Sequence, residues 1–349
     1  MKIWKHRAAV AAEAAVQVDP PTEYYTSRYS GEEIDKGIDG ALQLGGASTP
    51  QGAIAALGAG VRPNLLVNPF FKVNQRRKST YAAGGWTVDG WYNGAGSDGS
   101  LTPNQNGALL EIQRTGIAFY QAVDPIEKNL TGKHVLFSIL YTGTPRLVIS
   151  RFDDAWHHYT SVNFPSSDTP AIATVGADIG DVTTNDEIRC AIYSASGSTS
   201  IQVYGTKFEV GMQQSLAYQD DSGAWQLLGQ PDPLEEIKCK RYQIALPQGN
   251  TLNYSPIGYG YIFGGNSARI LIPTPVKMRT NPTLVFISGN ISGLSILAGE
   301  NTFIPTSVST IFALEYGVSI NFTIPSGATN GPCTLRCTSG YALLDANLS

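Results

Sequence analysis

The sequence predicts a mainly β protein in which a short N-terminal helical stalk precedes two β-sandwich domains. After residue 63, short runs rich in Val, Ile, Tyr and Phe alternate with Gly, Asn, Asp and Pro, as is typical of strands and turns. Before it, apolar residues recur at helical spacing between Gly and Pro breaks. We therefore divide the chain into an attachment arm (1–22), the stalk (23–62), a first β-sandwich (63–246) and a C-terminal β-domain (247–349).

The arm is rich in Ala over residues 5–18 and ends at Pro20, which predicts one short helix. A helix of this length is not stable alone in water, so we expect it to dock onto another protein. The basic start is also found in secretory signals, but Glu13 interrupts the apolar region that such a signal needs. No run of about 18 apolar residues occurs, and no membrane span is expected.

The stalk contains two further helical patterns with narrow apolar stripes. Ser30 and Glu33 form a capping box before the first, and Ser48-Thr49-Pro50 precedes the second. The stripes consist of Ile34, Ile38, Ala41 and Leu42, and of Ala53, Ile54 and Leu57. Neither helix can build a core by itself, which favours a bundle formed with copies of the same chain. Packing against the β-domain of the same chain is the alternative.

The strand pattern continues through both β-domains. In the first sandwich we expect strands at residues 108–113, 118–123, 134–141, 146–152, 158–164, 187–193 and 200–209. In the C-terminal domain we expect them at 259–263, 268–272, 283–288, 291–297, 310–313, 319–324, 333–337 and 341–344. Residues 211–236 show little periodicity, which indicates a surface loop with a short helical turn near 233–237. We expect the last strand of the first sandwich at residues 240–244.

The composition limits the possible partners. Charged residues make up 15% of the chain and the net charge is −4, so no nucleic-acid-binding face is expected. We interpret the basic cluster Arg76-Arg77-Lys78 as a solvated turn. A polar surface of low charge suits neutral polar ligands or self-association. The 17 Tyr and 5 Trp residues could offer ring faces to sugars, although strands also use such residues for packing.

No residue pattern predicts catalysis, a metal site or a cofactor. Asp153, Asp154, His157 and His158 form the densest polar cluster, but adjacent strand residues point to opposite faces, and a turn is the plainer interpretation. Calcium-loop spacing is absent around the remaining paired aspartates, which are Asp178, Asp181, Asp220 and Asp221.

The cysteines and two of the tryptophans are interpreted as structural residues. No CxxC pair occurs, and we expect reduced, buried thiols at Cys190, Cys239, Cys333 and Cys337. Trp86 and Trp91 would face opposite sides of a regular strand, so that one lies in the core and the other is exposed at a domain junction.

The order of several segments resembles tail-fibre and receptor-binding proteins of bacteriophages, prophages and phage-derived contractile particles. Residues 29–35 and 49–66 are similar to the stalk and lead-in of such fibres. Residues 64–76, with the WTVDGW that follows at 86–91, are similar to the opening of their first β-domain. Residues 207–211 and 235–243 are similar to the closing strand of that domain and to the segment that follows it. Residues 268–283 are similar to the start of the C-terminal domain of such fibres.

The resemblance implies a homotrimer, with residues 23–62 as a trimerisation stalk and the N-terminus bound to a baseplate or fibre-shaft protein. It implies a jelly-roll-like middle domain similar to carbohydrate-binding modules, and a C-terminal receptor-binding tip. It also implies a bacterial surface carbohydrate as receptor and a place in the virion tail, assembled in the cytoplasm of the bacterial host.

If receptor contact is terminal, loops at 250–254, 290–292, 300–303 and 326–330 would make it. The candidate ligand-binding residues are Asn250, Tyr254, Asn290, Glu300, Asn301, Phe303 and Asn330. We expect a protein that is not an enzyme. The alternatives are a glycan-degrading tail-spike enzyme with its site in a groove between chains, and a structural baseplate or shaft component without a receptor.

Overall fold

A computed structural model of the chain describes residues 62–82, 84–94, 98–114, 118–153, 155–220, 222–228, 234–246 and 256–347. These residues are mostly strands, which pair antiparallel, so the predicted mainly β fold class is confirmed. The predicted arm and nearly all of the predicted stalk lie outside the described residues. Apart from residues 220 and 222, the described residues belong to one compact unit, which contains both β-domains.

The first β-domain consists of two antiparallel sheets that enclose a common core. Its strands are β1 (Gly85–Trp86), β2 (Tyr92–Asn93), β3 (Gly99–Asn104), β4 (Gly107–Ile112), β5 (Ala118–Val123), β6 (His134–Gly143), β7 (Pro145–Phe152), β8 (Trp156–Asn163), β9 (Ser167–Asp178), β10 (Glu187–Ser194) and β11 (Thr199–Val210). The five-stranded sheet has the order β3-β4-β11-β6-β9, and the six-stranded sheet has the order β1-β2-β5-β10-β7-β8.

Alternation of side chains along the strands builds the core of this sandwich. On β10, Ile188, Cys190 and Ile192 point inward and are fully buried, and on β11 Ile201 and Val203 do the same. The two sheets therefore bury one apolar face each and leave the other face outside.

Trp91 anchors the segment that enters the first sandwich. Its side chain is fully buried, and its ring centroid lies 4.8 Å from that of Phe71. Its indole N–H donates to the backbone oxygen of Asn68 at 3.2 Å. One of the two tryptophans was predicted to lie in the core, and the buried Trp91 confirms this. Trp86 is partly exposed.

The predicted loop at 211–236 contains a hairpin that sequence reasoning missed. Its strands are β12 (Ala217–Gln219) and β13 (Trp225–Leu227), and helix α1 (Glu235–Lys240) follows. Leu216 and Ala217 pack on Leu140, so the hairpin covers part of the outer surface of the five-stranded sheet. No helix among the described residues is long and apolar enough to cross a membrane.

The second β-domain is also built from two sheets around one core. Its strands are β14 (Gln243–Ala245), β15 (Pro256–Phe263), β16 (Ser267–Pro273), β17 (Thr283–Ser288), β18 (Leu294–Ala298), β19 (Asn301–Phe303), β20 (Ser307–Leu314), β21 (Gly317–Thr323), β22 (Gly331–Cys337) and β23 (Tyr341–Asp345). The small sheet has the order β14-β23-β17, and the large sheet has the order β19-β18-β22-β15-β16-β21-β20. A 3₁₀ turn at Ile291–Gly293 precedes β18.

Two sequence predictions about the join between the domains are wrong. The strand expected at 240–244 as the end of the first sandwich is β14, which pairs with β23 of the second domain. The solvated turn expected at residues 76–78 begins with a buried arginine, because Arg76 forms an ion pair with Asp345. Both errors arise from contacts across the domain boundary, which local sequence patterns do not encode.

The cysteines agree with the sequence prediction. Cys190, Cys239, Cys333 and Cys337 are free and buried. Burial raises the pKa of the Cys190 thiol well above its usual value, so the thiol stays protonated within the core.

Candidate functional site

The outward face of the six-stranded sheet combines residues from strands that are remote in sequence. Because Ile188, Cys190 and Ile192 of β10 point into the core, Arg189, Ala191 and Tyr193 point outward. The pairing register places Tyr120 of β5 opposite Ala191 on the same face. On the other side of β10, Val148 of β7 also lies opposite Ala191.

Aromatic rings form a continuous row across this face. The ring centroids of Trp86 and Tyr92 are 5.2 Å apart, and those of Tyr92 and Tyr120 are 5.1 Å apart. Trp156 continues the row, at 5.5 Å from Tyr120 and 5.8 Å from Phe152. Together with Tyr193 these residues are called the aromatic face below.

Arg189 lies at the centre of the aromatic face, and its guanidinium group contacts three of the rings. Its guanidinium carbon lies 5.0 Å from the ring centroid of Tyr120, 3.5 Å from that of Phe152 and 4.8 Å from that of Trp156. Such cation–π contacts stabilise rings around a desolvated cation. Arg189 also donates from Nε and Nη2 to Glu187 Oε2, at 3.0 and 2.9 Å, so its charge is balanced within the protein.

The phenols of Tyr120 and Tyr193 are neutral at physiological pH. Burial raises the pKa of Tyr120 to about 12, against a smaller lowering by Arg189. Burial raises the pKa of Tyr193 as well. A neutral phenol both donates and accepts a hydrogen bond, which suits hydroxyl-bearing ligands.

Small side chains separate the larger ones at the middle of the face. Ala118, Val148 and Ala191 are buried and pack with Tyr193 and the partly buried Tyr120. At the outer end of the row, Trp156 is 38% exposed, and its ring centroid lies 6.4 Å from that of the exposed His158. The middle of the face is therefore closed to solvent by packed side chains, and Trp156 offers an accessible ring at its outer end.

The residues singled out for catalysis do not converge on a cleft. His157 and His158 lie on opposite sides of β8: His158 faces Trp156, and His157 Nε2 lies 2.8 Å from Asp153 Oδ1. Desolvation raises the pKa of Asp153, but its hydrogen bond from Arg151 at 2.6 Å and the nearby charges outweigh this, so the net pKa is lowered. Asp153 is thus an ionised acceptor. Asp154 lies outside the described residues.

The predicted C-terminal ligand residues separate into two groups. Glu300 lies in the turn between β18 and β19, and Asn301 begins β19. Asn330 precedes β22 at the same end of the large sheet, because Leu297 of β18 pairs with Thr334 of β22. Asn290 lies at the opposite end, before the strand residue Leu294, which pairs with Cys337. The structure therefore places these residues in two separate loop clusters.

Three of these residues have structural contacts of their own. Asn290 Oδ1 accepts from the backbone N–H of Ser292 at 2.9 Å and caps the 3₁₀ turn. Phe303 is partly buried and packs against the core of the second domain. Asn330 Oδ1 accepts from the backbone N–H of Gly265 at 3.3 Å. Asn250 and Tyr254 lie outside the described residues, and the whole set stays a prediction.

Sequence reasoning singled out Trp86 and His158 but did not place them on one sheet face. Their positions near the two ends of the aromatic row follow from the strand order of the six-stranded sheet, in which β1 and β8 lie at opposite edges. Among the described residues, no group of three or more His, Cys, Asp or Glu side chains could hold a metal ion.

Comparisons with known proteins give only distant structural likenesses. No family model and no curated protein matches the sequence. The chain is similar to a CBM4 module at 15% identity and a TM-score of 0.29, over 41% of this chain and 98% of that one. It is similar to the xylan-binding module CBM15 at 11% identity and a TM-score of 0.28, over 36% of this chain and 93% of that one.

A phage protein is also among the similar structures. The enzymatically active domain of tailspike protein 4 from bacteriophage CBA120 is 17% identical, with a TM-score of 0.26. The match covers 42% of this chain but 21% of the tailspike chain. With all three TM-scores below 0.5, these likenesses assign no function to the chain.

Proposed function

We propose that this protein is a non-enzymatic, trimeric tail-fibre component that attaches a phage or phage-like particle to a bacterial surface glycan. The aromatic face of the first sandwich is the proposed binding surface. The observation that carries this proposal is the continuous row of rings from Trp86 to Trp156 across the outside of a sheet.

The chemistry of the face suits a sugar chain. The C–H side of a pyranose ring is apolar and packs on an aromatic ring, while its hydroxyl groups form hydrogen bonds around the edge. Trp156 supplies an accessible ring, and the neutral phenol of the partly buried Tyr120 can pair with a hydroxyl. Arg189 is already paired with Glu187, so a neutral glycan leaves no buried charge unpaired.

The assignment to a phage tail rests on the resemblance of several sequence segments to tail fibres, as given above. A trimer would repeat the aromatic face three times, and a multivalent contact can exceed single-site affinity by about 10²–10⁴. Attachment to the baseplate or shaft by residues 1–22 and a trimerising role for residues 23–62 belong to the same proposal.

The proposal is tested by screening the full-length protein on an array of bacterial surface polysaccharides, followed by affinity measurements with Trp156→Ala and Tyr92→Ala variants. We expect each variant to weaken binding to the best array glycan about ten-fold, which corresponds to about 1.4 kcal/mol. Trp225→Ala is the matched control, because Trp225 lies in β13 and packs against the cluster of Leu140, Leu216 and Ala217, outside the aromatic face.

Other outcomes would contradict the proposal. Wild-type affinity of both Trp156→Ala and Tyr92→Ala would exclude the aromatic face as the binding surface. Release of reducing sugars from the bound polysaccharide would favour the glycan-degrading alternative. A protein that binds neither glycans nor host cells, but is needed for particle assembly, would favour the structural alternative.

A further inference from the structure

One face of the large sheet in the second domain packs on the core, and the opposite face of β15 and β16 is exposed to solvent. On β16, Ala268, Ile270 and Ile272 are buried, while the residues between them point to solvent. The same alternation holds on β15, where Ile262 is buried and Tyr261 is exposed. The outward residues of β15, β16, β21 and β20 are called the C-terminal sheet face below.

Large apolar side chains are concentrated on this face. Tyr259 is 61% exposed, Tyr261 52% and Phe312 50%, and Leu271 and Leu314 are also largely exposed. The pairing register makes them neighbours, because Tyr259 lies opposite Leu271, Leu271 opposite Ser319, and Ser319 opposite Phe312. The apolar side chains lie on β15, β16 and β20, and β21 contributes the small polar Ser319 between Leu271 and Phe312.

Charge is nearly absent from the patch. Among the outward residues of β15, β16, β21 and β20, all of them described, Arg269 is the single charged side chain. Arg269 Nε donates to Asn321 Oδ1 at 2.9 Å, and its guanidinium lies 5.7 Å from the ring centroid of Phe263. Protein–protein interfaces have this composition: they are enriched in Tyr, Phe and Arg, and depleted in Lys, Asp and Glu.

The face is large enough to form a substantial part of a protein interface. Four strands at about 4.8 Å spacing and about seven residues at about 3.3 Å rise give a projected area of roughly 450 Å². Protruding side chains raise the accessible area above this projection, towards the roughly 800 Å² that each partner contributes to a standard interface. The largest apolar patch on a monomeric protein is typically about 300–600 Å² and is often functional.

We infer that the C-terminal sheet face packs against a second copy of this chain. The inference names a contact surface for the copies that the proposed trimer requires, and in this respect it rests on the proposed function. It also moves part of the assembly contact from the stalk, where the sequence predicts it, to the second β-domain. A glycan is a poorer occupant, because Leu271 and Leu314 offer sugars neither a ring face nor a hydrogen bond.

The first test measures the mass of the full-length protein by light scattering over a range of concentrations. Leu271→Lys and Phe312→Lys place a charge in the patch at positions that are exposed in the single chain, so folding is preserved. We expect these variants to weaken association at least ten-fold. Met212→Lys and Leu234→Lys are matched controls, since both residues are exposed and apolar but lie outside the face.

A second measurement covers the case in which other contacts hold the oligomer together. Hydroxyl-radical footprinting of the purified protein, normalised to the unfolded chain, reports the exposure of individual side chains. We expect protection of Tyr259, Tyr261 and Phe312 in the wild type and loss of this protection in the Leu271→Lys variant. Full reactivity of these side chains in the wild-type oligomer would overturn the inference, whatever the mass.

The outcomes separate this inference from the proposed function. Protection that develops only after addition of a glycan from the array would overturn the inference, because the face would then be a ligand site. Protection in a protein that binds no glycan would support the inference and contradict the proposed receptor role.

Discussion

Asp89 is a carboxyl group buried where the two β-domains meet. Its Oδ1 accepts from the backbone N–H of Gln75 at 2.9 Å and from Gln243 Nε2 at 3.2 Å. Its Oδ2 accepts from Gln75 Nε2 at 2.5 Å. Desolvation raises the pKa of Asp89 to about 6, although the hydrogen bonds from Gln75 and the charge of Arg76 lower it. Ionisation of this group therefore opposes folding.

The pKa of Asp89 predicts how stability depends on pH. Between pH of about 4 and about 6 the folded state holds the proton and the unfolded state releases it, so unfolding free energy falls as pH rises through this window. A shift of about two units is worth about 3 kcal/mol at most. We expect Asp89→Asn to remove most of this fall, as measured by urea unfolding at pH 4.5, 5.5 and 7.

The control for this experiment is Asp168→Asn, which changes an exposed carboxyl group on β9. It should leave the pH profile unchanged. Parallel profiles for the wild type and Asp89→Asn would show that the buried carboxyl group does not titrate in this window. Neither Asp89 nor its pKa could be singled out from the sequence, because its burial depends on Gln243, a residue of the other domain.

The elements that join the two domains are one loop and two short strands. The side-chain amide of Gln75 donates to the backbone oxygen of Gln243 in β14 at 2.8 Å and accepts from the backbone N–H of Ala245 at 2.9 Å. The hydroxyl of Tyr341 donates to the backbone oxygen of Gln75. Arg76 binds Asp345 at the end of β23. The side-chain amide of Gln75 thus makes two hydrogen bonds to the backbone of β14, as the backbone of a neighbouring strand would.

The buried ion pair between Arg76 and Asp345 gives a prediction for stability. Arg76→Ala leaves the buried carboxylate of Asp345 without its cation, and we expect a loss of about 3 kcal/mol in unfolding free energy. Adding Asp345→Asn to this variant should restore part of the loss, because the uncompensated charge is removed. Urea unfolding of the single and double variants measures both. A loss below about 0.5 kcal/mol would mean that the pair behaves as a solvated surface pair.

Strands were predictable from the sequence where they lie between two other strands of a sheet and are therefore rich in β-branched and aromatic residues. The interior strands β5 and β10 were predicted within one residue at either end. The strands β3 and β9 were missed because they contain Pro103 and Pro170 and many polar residues. Both are edge strands of the five-stranded sheet, where a proline removes no interior hydrogen bond. The three-residue strands β12, β13 and β19 are too short to show a period.

At the scale of the whole molecule, the candidate site depends on topology more than on local sequence. The aromatic face draws its rings from all six strands of the six-stranded sheet, and sheet order alone brings these strands together. The sequence could predict that the chain has many aromatic residues and little charge, but it placed the ligand contact in the C-terminal loops. The face and those loops now give competing locations for one binding event.

The central claim, that glycan binds on the aromatic face, is tested most directly by ¹⁹F NMR of the full-length protein labelled with fluorotryptophan. The five tryptophans give separate signals that single Trp→Phe variants assign. On titration with the best array glycan, we predict that the signals of Trp156 and Trp86 shift while that of the buried Trp91 does not. Saturable glycan binding with unchanged Trp156 and Trp86 signals would contradict the account.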